Sequence, residues 1–172
     1  LESSSAASDV YKRQLMHVIA AKAVAFGEAL QPEFKTYIQQ VKKNASILGE
    51  VLMSNGIDIV TGGTDSHMVL VDLRSKNVTG KDAEESLERA GMTCNKNGVA
   101  NDPNPPTITS GIRLGSPAAT TRGFKEEEFK FIGEKISTII NALSSSNADI
   151  SMTESSILKD VTELCSNFPI YK

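Results

Sequence analysis

Apolar residues recur at steps of three and four between positions 34 and 52, and few backbones other than a long amphipathic helix accommodate this spacing. Pro32 is well tolerated in a first helical turn, so we predict that the helix begins there. Asn55-Gly56 is a typical helix-ending pair and predicts its end. The apolar positions are Phe34, Tyr37, Ile38, Val41, Ala45, Leu48 and Leu52.

The segment before this helix, from Met16 to about Leu30, consists of small and apolar residues on almost every side. A helix with this composition has little surface suited to water. We therefore expect it to pack into something larger than the elements visible in this sequence.

The rest of the chain alternates extended and helical patterns. Residues 57–61 alternate in polarity and residues 68–73 are mostly apolar, which predicts two strands. Thr79 begins a helix with a capping box, and Gly91 ends it. We also expect extended segments near 92–94 and 111–114, a short helix after Ser116-Pro117, and helices over 124–143 and 157–168 joined by a linker at 144–149. These patterns indicate a small sheet with helices packed on it.

The first fourteen residues differ in composition from the rest. Leu1 to Gln14 is rich in serine and alanine and has neither the apolar core nor the cleavage site of a secretory signal. We interpret residues 1–14 as a non-native leader or sequencing scar. On this interpretation the natural protein continues upstream of Leu15, and the chain is a fragment.

Composition argues against several functional classes. The net charge is -3 with basic and acidic residues interspersed, whereas a nucleic-acid surface needs a clustered basic excess. No apolar run reaches the length of a membrane span. Cys94 and Cys165 are too few for a disulfide framework and lack metal-site spacing, so we expect a reducing cytoplasm and no metal.

One arginine stands between small residues, downstream of two amide-rich turns. The turns are Asn95-Lys96-Asn97-Gly98 and Asn101-Asp102-Pro103, and Arg113 follows within Gly111-Ile112-Arg113-Leu114-Gly115. Arginine can bind a carboxylate through two parallel hydrogen bonds, and small neighbours let a ligand approach the backbone. The alternative is a surface arginine on a glycine-rich loop, but the surrounding residues favour a carboxylate site.

Several strings, taken in order, make the chain from Leu15 to Tyr171 resemble the C-terminal part of the bacterial-type serine hydroxymethyltransferase (glycine hydroxymethyltransferase) family. No single string is decisive, but their order and spacing are specific. They are His17-Val18-Ile19-Ala20-Ala21-Lys22-Ala23, Pro32-Glu33-Phe34-Lys35-Thr36-Tyr37, Gly62-Gly63-Thr64-Asp65, Leu70-Val71-Asp72-Leu73, Asn95-Lys96-Asn97, Asn101-Asp102-Pro103, Thr109-Ser110-Gly111-Ile112-Arg113 and Thr121-Arg122-Gly123-Phe124-Lys125-Glu126.

The resemblance implies an α/β fold class: the C-terminal part of a pyridoxal-phosphate enzyme of the aspartate-aminotransferase type (fold type I). Residues 15–31 would end the large cofactor-binding domain. Residues 32–172 would form a long connecting helix and a small α+β domain, whose short, mainly antiparallel sheet is covered by helices. The implied reaction converts serine and tetrahydrofolate to glycine and 5,10-methylenetetrahydrofolate, in a cytoplasmic homodimer or a tetramer of dimers.

The resemblance also implies roles for individual residues. Arg113 would bind the carboxylate of serine or glycine, and Asn97 would lie near the pterin of the folate. Asn97 has an alternative interpretation as a left-handed turn residue before Gly98. Pro105, Pro106 and Thr107 occupy the family's folate-contacting loop, usually Ser-Pro-Phe, so Pro105 and Thr107 depart from its pattern. The family's Schiff-base lysine lies in a Thr/His-Lys string that does not occur here, so we expect the chain alone to be inactive.

Other residues that suggest chemistry are interpreted as structural. Asp65-Ser66-His67 places two members of a catalytic triad together, but neighbours along a strand point to opposite faces. Gly62-Gly63 is interpreted as a turn rather than a phosphate cradle, because no helix begins directly after it. Cys94 and Cys165 are predicted to be small core residues. Arg122 either bridges a domain interface or is a solvated surface charge.

The sequence is compatible with three functions. The first is the folate-dependent hydroxymethyltransferase. The second is another enzyme of the same fold, such as an aminotransferase, which would also use a small-domain arginine but has no folate to bind. The third is a non-catalytic anion-binding domain, which the apolar segment 16–30 disfavours because a finished domain covers such a surface.

Overall fold

The computed structural model describes residues 15–145 and 150–170, which fall into two compact units. In the first unit, described from Leu15 to Ile38, helix α1 spans Met16–Ala29 and helix α2 begins at Pro32. No residue of α1 is buried, and Met16, Val24 and Phe26 are well exposed. The prediction that this segment is helical and apolar on most sides is confirmed.

The second unit contains the remainder of α2, which spans Pro32–Ser54, and all of the sheet. The elements that follow are β1 (Asp58–Ile59), β2 (Met68–Asp72), a 3-10 turn (Arg74–Lys76), α3 (Gly80–Arg89), β3 (Asn95–Asn97), β4 (Gly111–Gly115), α4 (Pro117–Arg122), α5 (Glu126–Ser144) and α6 (Ile150–Ser166). Four of the expected linker residues, 146–149, lie outside the described residues.

The four strands form one antiparallel sheet in the order β1-β2-β4-β3. Val69 and Val71 of β2 pair with Leu114 and Ile112 of β4, and all four are buried. Together with apolar residues of α2, α3, α5 and α6 they form the core, so the helices cover one face of the sheet. The expectation of a short antiparallel sheet covered by helices is confirmed.

Two strands differ from the sequence-based expectation. Only Asp58 and Ile59 of the segment 57–61 pair in the sheet. The extended segment expected near 92–94 pairs instead at Asn95–Asn97, while Cys94 lies buried in the core. Strand β3 is at the edge of the sheet, where polar side chains can face solvent, so its composition gives no apolar alternation to detect.

Specific polar contacts fix the helices. The Thr79 hydroxyl accepts a hydrogen bond from the Asp82 backbone N–H, as the predicted cap requires. Glu154 of α6 is buried and accepts hydrogen bonds from Arg89 and Ser86 of α3. These contacts attach the last described helix to the rest of the second unit. Among the described residues, no helix is both long and apolar enough to span a membrane.

Candidate functional site

The sheet face opposite the helices, called here the outer face, carries the residues singled out from the sequence. Side chains alternate between the two faces of a strand, and residues in register share a face. In β4, Ile112 and Leu114 are buried while Arg113 between them is exposed. The outer face therefore consists of Asp58, Met68, Leu70, Asp72, Asn95, Asn97, Gly111, Arg113 and Gly115.

Arg113 lies at the middle of this face, in register with Leu70 on one side and Asn95 on the other. Of the arginines that the structure describes, it is the one whose guanidinium has no hydrogen bond or ion pair. Arg74 binds Asp72, Arg89 binds Glu154, and Arg122 binds backbone carbonyls. A guanidinium with all its donors available, on a firmly held strand, suits a planar anion such as a carboxylate.

Asn97 shares the outer face with Arg113. It pairs with Gly111 across the strands, two residues before Arg113, and its Nδ2 donates to the Gly98 carbonyl at 2.8 Å. The alternative of a left-handed turn residue is wrong, because Asn97 lies in β3, while Asn101 has the positive φ of 55°. Among the residues described, the Oδ1 atom of Asn97 has no partner and can accept a hydrogen bond from a ligand.

Lys96, between Asn95 and Asn97, belongs to the opposite face. Its Nζ lies 2.7 Å from Glu84 Oε2 of α3, and Glu84 also accepts a hydrogen bond from the Lys96 backbone. This pairing lowers the pKa of Glu84 and raises that of Lys96. Lys96 therefore anchors the edge strand to a helix and takes no part in the outer face.

The connection between β3 and β4, residues 98–110, contains the proline-rich segment. Pro105, Pro106 and Thr107 are all exposed. The Pro105 carbonyl accepts hydrogen bonds from Ile108 and Thr109, which closes a turn at this point. This connection joins the two strands that carry Asn97 and Arg113. It exposes the remaining sequence-predicted residues, Pro105, Pro106 and Thr107.

Asp102 organises this connection, a role that the sequence interpretation missed. Its carboxylate accepts four hydrogen bonds: from the backbone N–H groups of Val99, Asn104 and Ser110, and from the Ser110 hydroxyl at 2.6 Å. The Ser110 hydroxyl above all holds the pKa of Asp102 well below its usual range. The available signal was the Asn101-Asp102-Pro103 triplet, since aspartate before a proline turn commonly bonds the backbone beyond it.

Thr109 is held in a strained backbone conformation near the end of the connection. Its φ is 58°, which is unusual for a β-branched residue and costs about 1–3 kcal/mol. Its carbonyl accepts from the Gly80 N–H at 3.0 Å, where helix α3 begins. A Cβ atom at Gly80 would overlap Thr109 Oγ1 and the Gly111 carbonyl oxygen. Only glycine therefore permits this close approach of helix and connection.

The remaining candidates are accounted for by structure. No hydrogen bond joins Asp65 to His67 in the described part of the chain, and Gly62-Gly63 forms a turn with positive φ at both residues. Cys94 is buried in the core, which Cys165 borders. The Arg122 guanidinium donates to the carbonyls of Cys165 and Phe168 and so caps α6, which makes it a bound rather than a solvated charge, while its place at a domain interface stays a prediction. The described residues form no cluster of three metal-ligand side chains.

Comparison with known proteins identifies similar sequences. The sequence model of the family described as Serine hydroxymethyltransferase matches residues 10–136. The chain is 61% identical over 158 residues to a Serine hydroxymethyltransferase of Paramagnetospirillum magneticum, a match covering 92% of this chain and 37% of that protein. It is 61% identical over 157 residues to the protein of that name in Rhodospirillum centenum, covering 91% and 37%. Thus the chain spans about 37% of the length of these relatives.

Proposed function

Because the chain belongs to the serine hydroxymethyltransferase family, we propose that it works as part of an enzyme that transfers the hydroxymethyl carbon of serine to a folate. The products are glycine and 5,10-methylenetetrahydrofolate, and the reaction is reversible. Family membership favours this transfer over the transamination and over the non-catalytic anion binding considered from the sequence.

The observation that carries the proposal is the unpaired guanidinium of Arg113 on the outer face. The substrate amino acid presents a carboxylate, and two parallel N–H···O bonds from arginine fix both its position and its plane. Gly115 lies exposed on the same face two residues after Arg113, and its lack of a side chain leaves room for the ligand there. Arg113 would thereby orient the substituents on the α-carbon before any bond is broken.

Folate binding is proposed for the neighbouring groups. The free Oδ1 of Asn97 can accept a hydrogen bond from a pterin N–H, and the exposed turn at Pro105, Pro106 and Thr107 offers a surface for the same ligand. Lys96 is not part of this proposal, because its ammonium group is paired with Glu84 on the other face.

The residues of the outer face do not fit pyridoxal phosphate, the cofactor that this family uses. A Schiff base with the cofactor's aldehyde needs a lysine, and the described outer face carries none. Nor does a helix begin at the Gly62-Gly63 turn to hold the phosphate. The proposal therefore assigns substrate recognition to this chain and cofactor binding to the rest of the enzyme, and no step involving the cofactor is derived from these residues.

The assembly and location of the enzyme are further parts of the proposal. We propose a homodimer or a larger assembly. Helix α1, which has apolar residues on most sides and none buried among the described residues, would be covered by the rest of the enzyme or by its second subunit. Sedimentation of the complete enzyme tests this. A cytoplasmic location is supported by Cys94 and Cys165, both free thiols in a chain with two cysteines.

A fusion enzyme tests the reaction. The part of the Paramagnetospirillum magneticum relative that precedes its match to Leu15 is joined to residues 15–172 of this chain, since 61% identity favours compatible packing. We expect serine cleavage that depends on tetrahydrofolate, and no turnover by the 172-residue chain alone. A fusion that folds and takes up pyridoxal phosphate, yet forms no glycine from serine, would contradict the proposed function.

A further inference from the structure

The connection from residue 98 to residue 110 is far longer than the tight turns that usually join antiparallel neighbours. It begins directly after Asn97 and ends three residues before Arg113. Without internal contacts, a connection of this length would leave the ends of β3 and β4 weakly defined, because β3 contains only Asn95–Asn97. What holds the connection therefore also determines how accurately the two site residues are placed.

A single carboxylate bridges the two ends of the connection. Asp102 Oδ2 accepts from the backbone N–H of Val99 at 3.1 Å and from that of Ser110 at 2.8 Å. Oδ1 accepts from the Asn104 N–H at 3.0 Å and from the Ser110 hydroxyl at 2.6 Å. Val99 is two residues after Asn97, and Ser110 is three residues before Arg113. The carboxylate thus ties the exit of β3 to the entrance of β4.

The chemistry of this clamp requires a carboxylate. Two carboxylate oxygens offer about four acceptor positions, and all four are used here. An asparagine at the same place would offer acceptor positions on one oxygen only. An amide nitrogen in place of Oδ2 would face the Val99 and Ser110 N–H groups, and in place of Oδ1 it would face the Asn104 N–H and force the Ser110 hydroxyl to turn from donor to acceptor. At least one of the backbone hydrogen bonds would therefore be lost.

The start of helix α3 also holds the connection, close to the point where it leads into β4. Gly80 and Lys81, at the start of helix α3, donate their backbone N–H groups to the carbonyls of Thr109 and Ile108, both at 3.0 Å. Thr109 is held with a φ of 58° between these contacts and the Asp102 clamp at Ser110. A strained residue persists only where its surroundings fix it, and here the fixed position leads directly into the strand of Arg113.

We infer that Asp102 is a positioning residue, which fixes Arg113 relative to Asn97 and thereby sets the affinity of the enzyme for the amino-acid carboxylate. This role rests on the proposed function. Asp102 does not contact the substrate in this account. It acts through the backbone at Ser110 and Val99.

The test uses the fusion enzyme described above, with Asp102→Asn as the principal variant. We expect its KM for serine to rise by about 10- to 100-fold, since small displacements of a binding group have effects of this size. Inhibition by glycine and by glycinamide is then compared. Glycinamide lacks the carboxylate, so the substitution should change the affinity of the enzyme for glycinamide only a little. The preference of the enzyme for glycine over glycinamide should therefore fall by about the factor by which the serine KM rises.

Two control variants distinguish a loss of positioning from the effects of removing a negative charge and of lowering the stability. Glu134→Gln removes one negative charge from an exposed side chain of α5 that has no hydrogen bond or ion pair among the described residues, and should leave the serine KM unchanged. Glu154→Gln weakens the attachment of α6 to α3, away from the outer face, and should lower the melting temperature without changing the preference for glycine over glycinamide.

If Asp102→Asn fails to fold, Ser110→Ala takes its place, because it removes one of the four hydrogen bonds and should shift the same preference in the same direction by a smaller factor. An unchanged preference for glycine over glycinamide in an active, folded variant would overturn the role of Asp102 alone. An unsubstituted fusion that does not cleave serine would overturn the proposed function and this role together.

Discussion

Arg89 and Glu154 form a two-fold contact between helices α3 and α6. Arg89 Nε donates to Glu154 Oε2 and Arg89 Nη2 to Glu154 Oε1, each at 2.8 Å, and the Ser86 hydroxyl adds a third bond at 2.6 Å. The glutamate side chain is 8% exposed, whereas that of the arginine is 54% exposed. For the buried carboxylate these hydrogen bonds therefore replace the bonds to water, whereas the arginine remains largely in contact with solvent.

Glu154→Gln should destabilise the second unit. The substitution leaves the shape almost unchanged but removes the charge from three hydrogen bonds, so the free energy of unfolding should fall by about 1–3 kcal/mol. Chemical denaturation followed by circular dichroism measures this loss. Glu163→Gln, on an exposed position of the same helix, is the matched control. Equal stability of Glu154→Gln and Glu163→Gln would show that the contact is not stabilising.

The same contact predicts a pH dependence of stability. Hydrogen bonding to Arg89 lowers the pKa of Glu154 from its ordinary value of 4.5. A carboxyl group with a depressed folded-state pKa stabilises the protein fully above its unfolded pKa, and this contribution is lost as the pH falls through the folded value. Unfolding free energies measured between pH 7 and pH 3 should therefore decline below about pH 4.5, and less steeply in Glu154→Gln.

Arg113→Lys should impair substrate binding without destabilising the fold. Lysine keeps the positive charge but loses the planar fork that grips both carboxylate oxygens. Losing about 1.5–3 kcal/mol of charge-assisted bonding corresponds to a rise of roughly 10- to 100-fold in the serine KM of the fusion enzyme. The melting temperature should stay the same because the side chain is exposed. A normal serine KM in this variant would contradict the assignment of Arg113.

Gly80→Ala should disturb the junction between α3 and the 98–110 connection. The added methyl group would overlap Thr109 Oγ1 and the Gly111 carbonyl oxygen, so we expect a loss of about 1–3 kcal/mol in the free energy of unfolding. Gly27→Ala is the control, since nothing lies within 4 Å of the new Cβ and helix propensity should improve. Thermal unfolding of both variants distinguishes crowding from a general effect of removing glycine.

The two thiols should differ in reactivity. Burial raises the pKa of the Cys94 thiol to about 12, so little thiolate is available at pH 8. Cys165 is half-buried, so its sulfur is more accessible to a reagent than that of Cys94. Iodoacetamide followed by mass spectrometry should therefore modify Cys165 first. Faster modification of Cys94 in the folded protein would contradict the packing described for it.

Sequence patterns predicted the elements whose stability comes from apolar burial. The step of α2 reflects which side chains leave water, so it predicted that helix, and the extended segment near 111–114 is strand β4. The burial of Ile112 and Leu114 on either side of an exposed Arg113 became evident only from the structure. Strand β3 was misplaced because its pairing uses backbone groups and its side chains are polar. The roles of Asp102 and Arg122 were missed for a related reason. Both bind backbone groups, and which carbonyl or amide comes within reach depends on the tertiary fold.

The alternation in β4 has a consequence for how this protein can change over time. Ile112 and Leu114 point into the core, and Arg113 between them points outward. A one-residue shift of β4 against β2 would turn the guanidinium toward the aliphatic core and expose Ile112 and Leu114. The stability of the fold and the proposed recognition of the ligand therefore depend on the same register of this strand, and a change in the register would affect both.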